Sequence, residues 1–353
     1  MPVFEQMKKF NWQPARRIVD DKGFALTGIR IAMKPSVYVA RDLFPEVIAR
    51  LSQYFEVGSN PDDVIWTPEQ LLQKLRGKQG ALITGSAKID QALLGQLPEL
   101  KMVANMAVGY DNIDVAACAA AGVMASNTPD VLNETTADFA WALLMATARR
   151  ITESEHWLRA GQWSKWRYDL FIGADLHGST LGIIGMGRIG QAVARRAMGF
   201  DMKVIYHNRS RLSPEQEAAA NHAEYVSKED LLRTADHVML VLPYSAATRH
   251  TIGEAELALM RPSATLINVA RGGIVDDVAL IQALKARRIA AAGLDVFENE
   301  PKFHPGFLDL DNVVLTPHIA SASYKTRLAM ANCAADNLIA GLTGQTPPNL
   351  LHP

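Results

Sequence analysis

The sequence predicts an α/β protein built from two doubly wound parallel-sheet domains. The chain has 353 residues, about twice the roughly 150 expected of one domain. Short apolar strand patterns alternate with helical ones, which argues for parallel sheets covered on both faces. The alternation falls into two series separated by a long helical stretch. A composition of 48% hydrophobic and 21% charged residues is that of a globular chain and excludes a disordered one.

The first series opens with a strand pattern at 36–40. An amphipathic stretch from Leu43 to Phe55 follows, with Val47, Ile48, Leu51 and Phe55 at helical spacing. Strand patterns at 81–84, 102–105 and 123–126 then alternate with helical stretches ending at Leu94 and spanning 115–121. Residues 133–159 read as one long helical pattern, apolar at Phe139, Ala140, Leu143 and Leu144. It is too long for an ordinary connector and is expected to join domains or subunits. Trp157, Trp163 and Trp166 cluster at its end, where they serve either hydrophobic packing or an interface.

The second series places strands at 180–184, 204–206, 237–242, 264–268, 290–294 and 313–315. Six strands with helices between them suit a complete doubly wound nucleotide-binding domain. The closing helical stretch, 325–342, is expected to pack back on the first domain. That gives a discontinuous domain of 33–126 and 317–353 around a central domain of 127–316. Residues 1–32 show little periodicity and read as an extension of unassigned role.

Charge and cysteine usage narrow the partners. Thirty-six basic against 37 acidic residues leave a net charge of −1, so no overall basic field favours nucleic acid or an anionic membrane. The longest strongly apolar run, 139–148, spans ten residues, whereas a membrane helix needs about 20. Glu5, Lys8 and Lys9 precede no apolar block, so the N-terminus does not read as a signal peptide. Cys118 and Cys333 form neither a disulfide framework nor a zinc pattern. The expectation is a cytoplasmic protein with neither nucleic-acid nor membrane partners and no metal.

Residues 180–190 read Thr-Leu-Gly-Ile-Ile-Gly-Met-Gly-Arg-Ile-Gly. A bare G-x-G-x-x-G is weak evidence in a chain with 24 glycines. Here an apolar strand run precedes it and an alanine-rich helical stretch follows, the context a dinucleotide fingerprint requires. Gly185 allows the tight turn, Gly187 admits the pyrophosphate, and Gly190 permits close helix–strand packing. The amides of Arg188 and Ile189 then lie at a helix N-terminus that favours phosphate.

The second strand indicates which dinucleotide binds. An NAD site usually ends that strand with an acid about 20 residues on. Here Asn208, 18 residues after Gly190, is neutral. Arg209 and Ser210 offer a guanidinium fork and a hydroxyl to a 2′-phosphate, and Arg211 adds a further cation. NADP(H) is therefore expected, with NAD(H) the less favoured cofactor.

Three later segments each place polar residues just beyond an apolar strand, where ligands bind in open α/β sheets. They contain Arg271, the run Asp295 to Pro301, and His318. Reduction of a 2-oxo acid needs a cation for the carboxylate and carbonyl, a proton donor, and a carboxylate to orient that donor. Arg271, His318 and Glu300 are the candidates.

These segments resemble the D-isomer-specific 2-hydroxyacid dehydrogenases. The matching runs are Val108-Gly109-Tyr110-Asp111-Asn112-Ile113-Asp114, the Gly185-to-Gly190 fingerprint, Asn268 to Gly273, Gly293 to Pro301, and Pro317 to Ser321. The resemblance covers essentially residues 34–345 and is nearest to the glyoxylate/hydroxypyruvate and 2-ketogluconate reductases. It implies a central Rossmann cofactor domain and a discontinuous flavodoxin-like substrate domain. It also implies a homodimer formed through the long helix near 133–159.

The resemblance further implies roles. Arg271 would bind substrate carboxylate and carbonyl, His318 would donate the proton, and Glu300, in preference to Glu298, would partner His318. The Val108 and Gly109 amides would meet the carboxylate, with Gly85 and Ser86 facing the same cleft. Leu242 and Pro243 would line the adenosine side, Val269 and Ala270 the nicotinamide ribose, and Asp295 the nicotinamide carboxamide. The alternative from another class is a dinucleotide-binding corepressor-like scaffold with little turnover. The identity of the oxo acid is not written in these motifs.

Overall fold

A computed structural model describes residues 34–353. The extension at 1–32 and the expected domain start at residue 33 lie outside the described residues. The first sheet holds β1 (Ser36–Val39), β2 (Glu56–Gly58), β3 (Gly80–Ile83), β4 (Met102–Asn105) and β5 (Met124–Ser126). Its spatial order is β2-β1-β3-β4-β5, all parallel. The intervening helices are α1 (Pro45–Tyr54), α2 (Pro68–Leu75), α3 (Gln91–Leu94) and α4 (Val115–Ala120).

Two helices, α5 (Asn133–Ala148) and α6 (Ile151–Arg159), lead to the second sheet. That sheet holds β6 (Thr180–Ile184), β7 (Lys203–His207), β8 (Glu224–Tyr225), β9 (His237–Leu240), β10 (Thr265–Asn268), β11 (Ala291–Leu294) and β12 (Val313–Leu315). Between them run α7 (Arg188–Ala197), α8 (Pro214–Ala219), α9 (Lys228–Thr234), α10 (Glu254–Leu259) and α11 (Asp277–Lys285). The order is β12-β11-β10-β9-β6-β7-β8, again all parallel. The chain is thus an α/β protein of two parallel-sheet domains.

Every residue of β3, β4, β9 and β10 is buried, as expected of central parallel strands covered on both faces. Strand order reverses between β1 and β3 and between β6 and β9. Such reversals open a crevice beyond the carboxyl ends of the strands, which is where ligands bind.

The last helix, α12 (Tyr324–Leu342), packs on the first sheet. A Cβ added at Gly80 in β3 would lie 2.7 Å from Leu342 Cδ1 and 2.9 Å from Leu338 Cδ1. Helix α5 lies on the second sheet, close enough that a Cβ on Gly293 in β11 would come within 2.5 Å of Thr147 Oγ1. Trp141 on α5 donates its indole N–H to the Val193 carbonyl at 3.0 Å and stacks on Phe200.

The structure corrects three sequence-based expectations. The helix expected over 133–159 is two helices, broken where Arg150 takes a left-handed φ of 53°. At the break the returning chain donates Ala174 N–H to the Ala148 carbonyl at 2.8 Å, and Arg150 closes a bidentate pair on Glu153. The strand expected over 237–242 ends at Leu240. Strands β2 and β8 were not expected. They are sheet edges of three and two residues, too short to show a period.

Close packing of α5 on β11 yields a stability prediction. Gly293→Ala forces a methyl group against Thr147 and Leu143 and should cost about 1–3 kcal/mol. The urea midpoint should fall accordingly; an unchanged midpoint would show that α5 can withdraw freely.

Candidate active site

The fingerprint turn follows β6. Gly185 has φ +101°, and a Cβ there would sit 2.6 Å from the Leu242 amide nitrogen, so only glycine fits. A Cβ on Gly190 would lie 2.3 Å from the Gly185 carbonyl oxygen, which gives the close packing expected. Gly187 differs: nothing lies within 4 Å of its Cβ position. It precedes α7 without a side-chain cap, so the Arg188 and Ile189 amides open onto clear space. That geometry fits a pyrophosphate.

Beyond β7, Asn208 and Tyr225 shape the turn. Asn208 Nδ2 donates to the Ser210 carbonyl at 3.1 Å, and the Tyr225 hydroxyl donates to the Asn208 carbonyl at 3.2 Å. Arg209 and Ser210 are exposed. Arg211, expected as an additional cation for phosphate, is engaged elsewhere. Its Nε and Nη2 bind the two oxygens of Glu217 at 2.8 and 3.0 Å. With the Tyr206 hydroxyl donating to the same carboxylate, Arg211 holds the Glu217 carboxyl down at about 2.

The three catalytic candidates meet. A cavity of about 440 Å³ is walled in part by Arg271, Glu300 and His318. His318 Nδ1 lies 2.7 Å from Glu300 Oε2; an ionised carboxylate only accepts, so Nδ1 carries the proton and Nε2 is left for the cavity. Burial pushes the Glu300 carboxyl up, but His318 and the Phe297 amide outweigh that and hold it below the ordinary value. Glu298, the other glutamate of the segment, pairs instead with His250 at 2.8 Å.

Arg271 projects from the turn after β10, which Asn268 builds by accepting from Ala270 N–H and donating to the Arg271 carbonyl. Arg271 Nη1 donates to the Ala270 carbonyl at 2.9 Å. Its Nη2 lies where a Cβ on Gly109 would come within 1.8 Å, so the guanidinium packs directly on the Val108–Gly109 turn. Val269 and Ala270 are almost fully buried under it, each 8% exposed. Two asparagines hold that turn, and a third binds the segment after β3. Asn105 donates to the Gly109 carbonyl, Asn127 to the Val108 carbonyl, and Asn112 to the Thr84 and Ala87 carbonyls.

Asp295, Gly85 and Ser86 stand apart from the cavity lining. Asp295 is fully buried, and its carboxylate accepts from the Thr316 hydroxyl and the Ile319 and Ala320 amides at 2.7–2.9 Å. Its burial pushes its carboxyl up. These bonds hold the His318 turn. Gly85 and Ser86 follow the end of β3 and, like Val108 and Gly109, are not among the residues that wall the cavity. The Ser86 hydroxyl is shared with Thr84 Oγ1 and Arg41 Nη1.

Comparison with known proteins agrees with this geometry. The family described as D-isomer specific 2-hydroxyacid dehydrogenase, NAD binding domain, matches residues 141–320. The glyoxylate reductase of Thermococcus onnurineus is 47% identical over 324 residues, covering 91% of this chain and 96% of its own. The chain belongs to the D-isomer-specific 2-hydroxyacid dehydrogenase family. Among solved structures of the family, a glyoxylate reductase from Paecilomyes thermophila superposes with a TM-score of 0.81 at 34% identity, covering 90% and 98% of the two chains. An NADPH-dependent glyoxylate/hydroxypyruvate reductase from Sinorhizobium meliloti, in complex with NADP and malonate, gives 0.80 at 36%, covering 90% and 97%. As a member of the glyoxylate reductase branch of that family, the protein is an oxidoreductase.

The dehydrogenase cavity contains residues that sequence reasoning left unassigned: Asp111, Tyr244, Arg249 and Glu298. Asp111 belongs to the run from Val108 to Asp114, but its partner is 160 positions away and no local spacing could reveal it. The Glu298 amide donates to Asp277 Oδ2 at 3.1 Å, and burial pushes the Asp277 carboxyl up to about 6. The folded protein therefore binds that proton more tightly than the unfolded chain, and its stability declines as pH rises through about 6. Asp277→Asn should raise the melting temperature, relative to the parent, more at pH 8 than at pH 5. Equal shifts at both values would remove this role for the carboxyl.

Proposed function

We propose that this dehydrogenase reduces a small 2-oxo acid, glyoxylate or hydroxypyruvate, to the D-2-hydroxy acid, with NADPH preferred over NADH. The observation that carries the reading is the His318–Glu300 pair at 2.7 Å, set in the same cavity as Arg271. Arg271 binds the carboxylate and polarises the carbonyl, with the Val108 and Gly109 amides beside it. His318, oriented by Glu300, protonates the C2 oxygen from Nε2. The nicotinamide supplies the hydride when bound. Under this reading 33–126 with 317–353 form the substrate domain and 127–316 the cofactor domain.

The dinucleotide would lie across the second sheet, its pyrophosphate on the Gly187 opening and the Arg188 and Ile189 amides. Leu242 and Pro243 would border the adenosine, and Val269 and Ala270 the nicotinamide ribose. The NADPH preference is supported by a neutral Asn208 where an acid would hold ribose hydroxyls, and by the exposed Arg209 and Ser210. The Sinorhizobium meliloti relative, described as NADPH-dependent, points the same way. Substrate choice is supported by the relatives named glyoxylate reductase and glyoxylate/hydroxypyruvate reductase.

Initial rates with each acid and each cofactor test the reading, with 2-ketogluconate in the same panel. Glyoxylate or hydroxypyruvate should turn over faster with NADPH, and His318→Gln should reduce kcat by about 10²–10⁴-fold while the protein stays folded. Faster turnover with NADH would overturn the cofactor preference alone. Tight dinucleotide binding without turnover of any acid would favour the scaffold alternative.

The homodimer is also proposed. Trp163 and Trp166 are 56% and 65% exposed, and Tyr168 90% exposed, in the segment after α6. Apolar side chains left open in one stretch mark a surface that another molecule covers. Sedimentation should give twice the chain mass, and Trp163→Ser with Trp166→Ser should shift the protein toward monomer. A monomeric parent protein would end this proposal.

A further inference from the structure

Arg271 is approached by a carboxylate from the opposite side of the cavity. Asp111, on the loop between β4 and α4, accepts from Arg271 Nε at 3.2 Å. Its side chain is 41% exposed and that of Arg271 28% exposed, and both line the cavity. The pair joins the loop of one sheet to the turn of the other. With Nη1 also donating to the Ala270 carbonyl, the guanidinium is fixed at two corners. The remaining corner, Nη2, is the one that rests on Gly109.

We infer that Asp111 is a positioning residue that aims the Nη2 edge of Arg271 at the Val108–Gly109 turn, while its charge lowers affinity for anionic substrates. The first effect follows from hydrogen-bond geometry. A guanidinium donates in fixed directions within its plane, so pinning Nε and Nη1 settles where Nη2 points. The second follows from charge. A substrate carboxylate on Arg271 would lie within about 7 Å of Asp111, and repulsion across a partly hydrated cleft weakens binding by roughly three- to tenfold. Precise aim is thus obtained at the expense of affinity. This inference rests on the 2-oxo acid reading of the site.

Two substitutions separate the effects. Asp111→Asn keeps the Oδ1 acceptor and removes the charge; Asp111→Ala removes both. The first measurement is calorimetric binding of oxamate, which has the carboxylate and carbonyl of a 2-oxo acid, at saturating dinucleotide. Asp111→Asn should bind oxamate about three- to tenfold more tightly than the parent. The second is turnover of glyoxylate. Asp111→Asn should keep kcat within about threefold of the parent, and Asp111→Ala should lose at least about tenfold, because the misaimed guanidinium no longer polarises the carbonyl.

A merely structural role would change both variants alike, so melting temperatures alone would not reproduce this split. Unchanged or weaker oxamate binding by Asp111→Asn overturns the inference. So does a kcat for Asp111→Ala within threefold of that for Asp111→Asn. A parent protein that turns over none of the acids removes the functional reading instead. The oxamate comparison would then still decide the role of Asp111.

Discussion

The buried carboxylate of Asp295 is the constraint on which the site depends. It stands at the end of β11 and gathers three donors from the segment after β12, while its backbone carbonyl accepts from His318 N–H at 2.9 Å. An unpaired carboxylate in that position would be costly, and three well-placed donors offset its desolvation. The same bonds force the chain through a tight turn in which His318 takes a φ of +53°. A histidine rarely adopts that conformation unless its surroundings hold it there. The turn presents the imidazole to Glu300 on one side and to the cavity on the other. It also releases the chain toward α12, which returns to the first sheet.

Much of this was legible in the sequence because parallel sheets leave a strong linear record. Buried central strands are short apolar runs, so those at 102–105 and 180–184 were located to the residue. The fingerprint glycines and the Arg271, Glu300 and His318 segments sit at carboxyl ends of such runs, so locating the strands nearly located the site. What escaped was decided between distant segments. The 133–159 pattern is helically periodic across Arg150, and nothing local shows that Ala174 will cap the Ala148 carbonyl. Arg211 is held by Glu217, six residues on, through a turn whose geometry local spacing does not reveal.

The two glutamates after β11 show the same limit at closer range. Glu298 and Glu300 are two positions apart, each binds a histidine, and each lines the cavity. Composition and spacing do not separate them; family resemblance favoured Glu300, and the fold supplies the reason. Glu300 faces the turn that Asp295 holds, whereas Glu298 faces the loop carrying Arg249 and His250, and its amide is anchored by Asp277. His318 is presented to the cavity by a turn at the strand ends. The other, His250, closes the loop that follows Tyr244.

The division of labour between the two sheets follows from charge. The second sheet brings most of the ionised groups: Arg271 and Arg249, with Glu300 and Glu298. Glu300 must remain paired with His318, and an additional cation near it would compete for the same carboxylate. The first sheet instead brings the neutral Val108–Gly109 turn, held by Asn105 and Asn127, with Asn112 binding the neighbouring Ala87 carbonyl. These side chains bind the carbonyls of the turn and its neighbours, which fixes the direction of the peptide planes without adding charge. Neutral dipoles act over a short range, so the Val108–Gly109 turn leaves the His318–Glu300 pair undisturbed. The one ionised group the first sheet does contribute, Asp111, is already bonded to Arg271. The guanidinium of Arg271 thereby joins the ionised groups that wall the cavity to the neutral turn at Val108–Gly109 on which it packs.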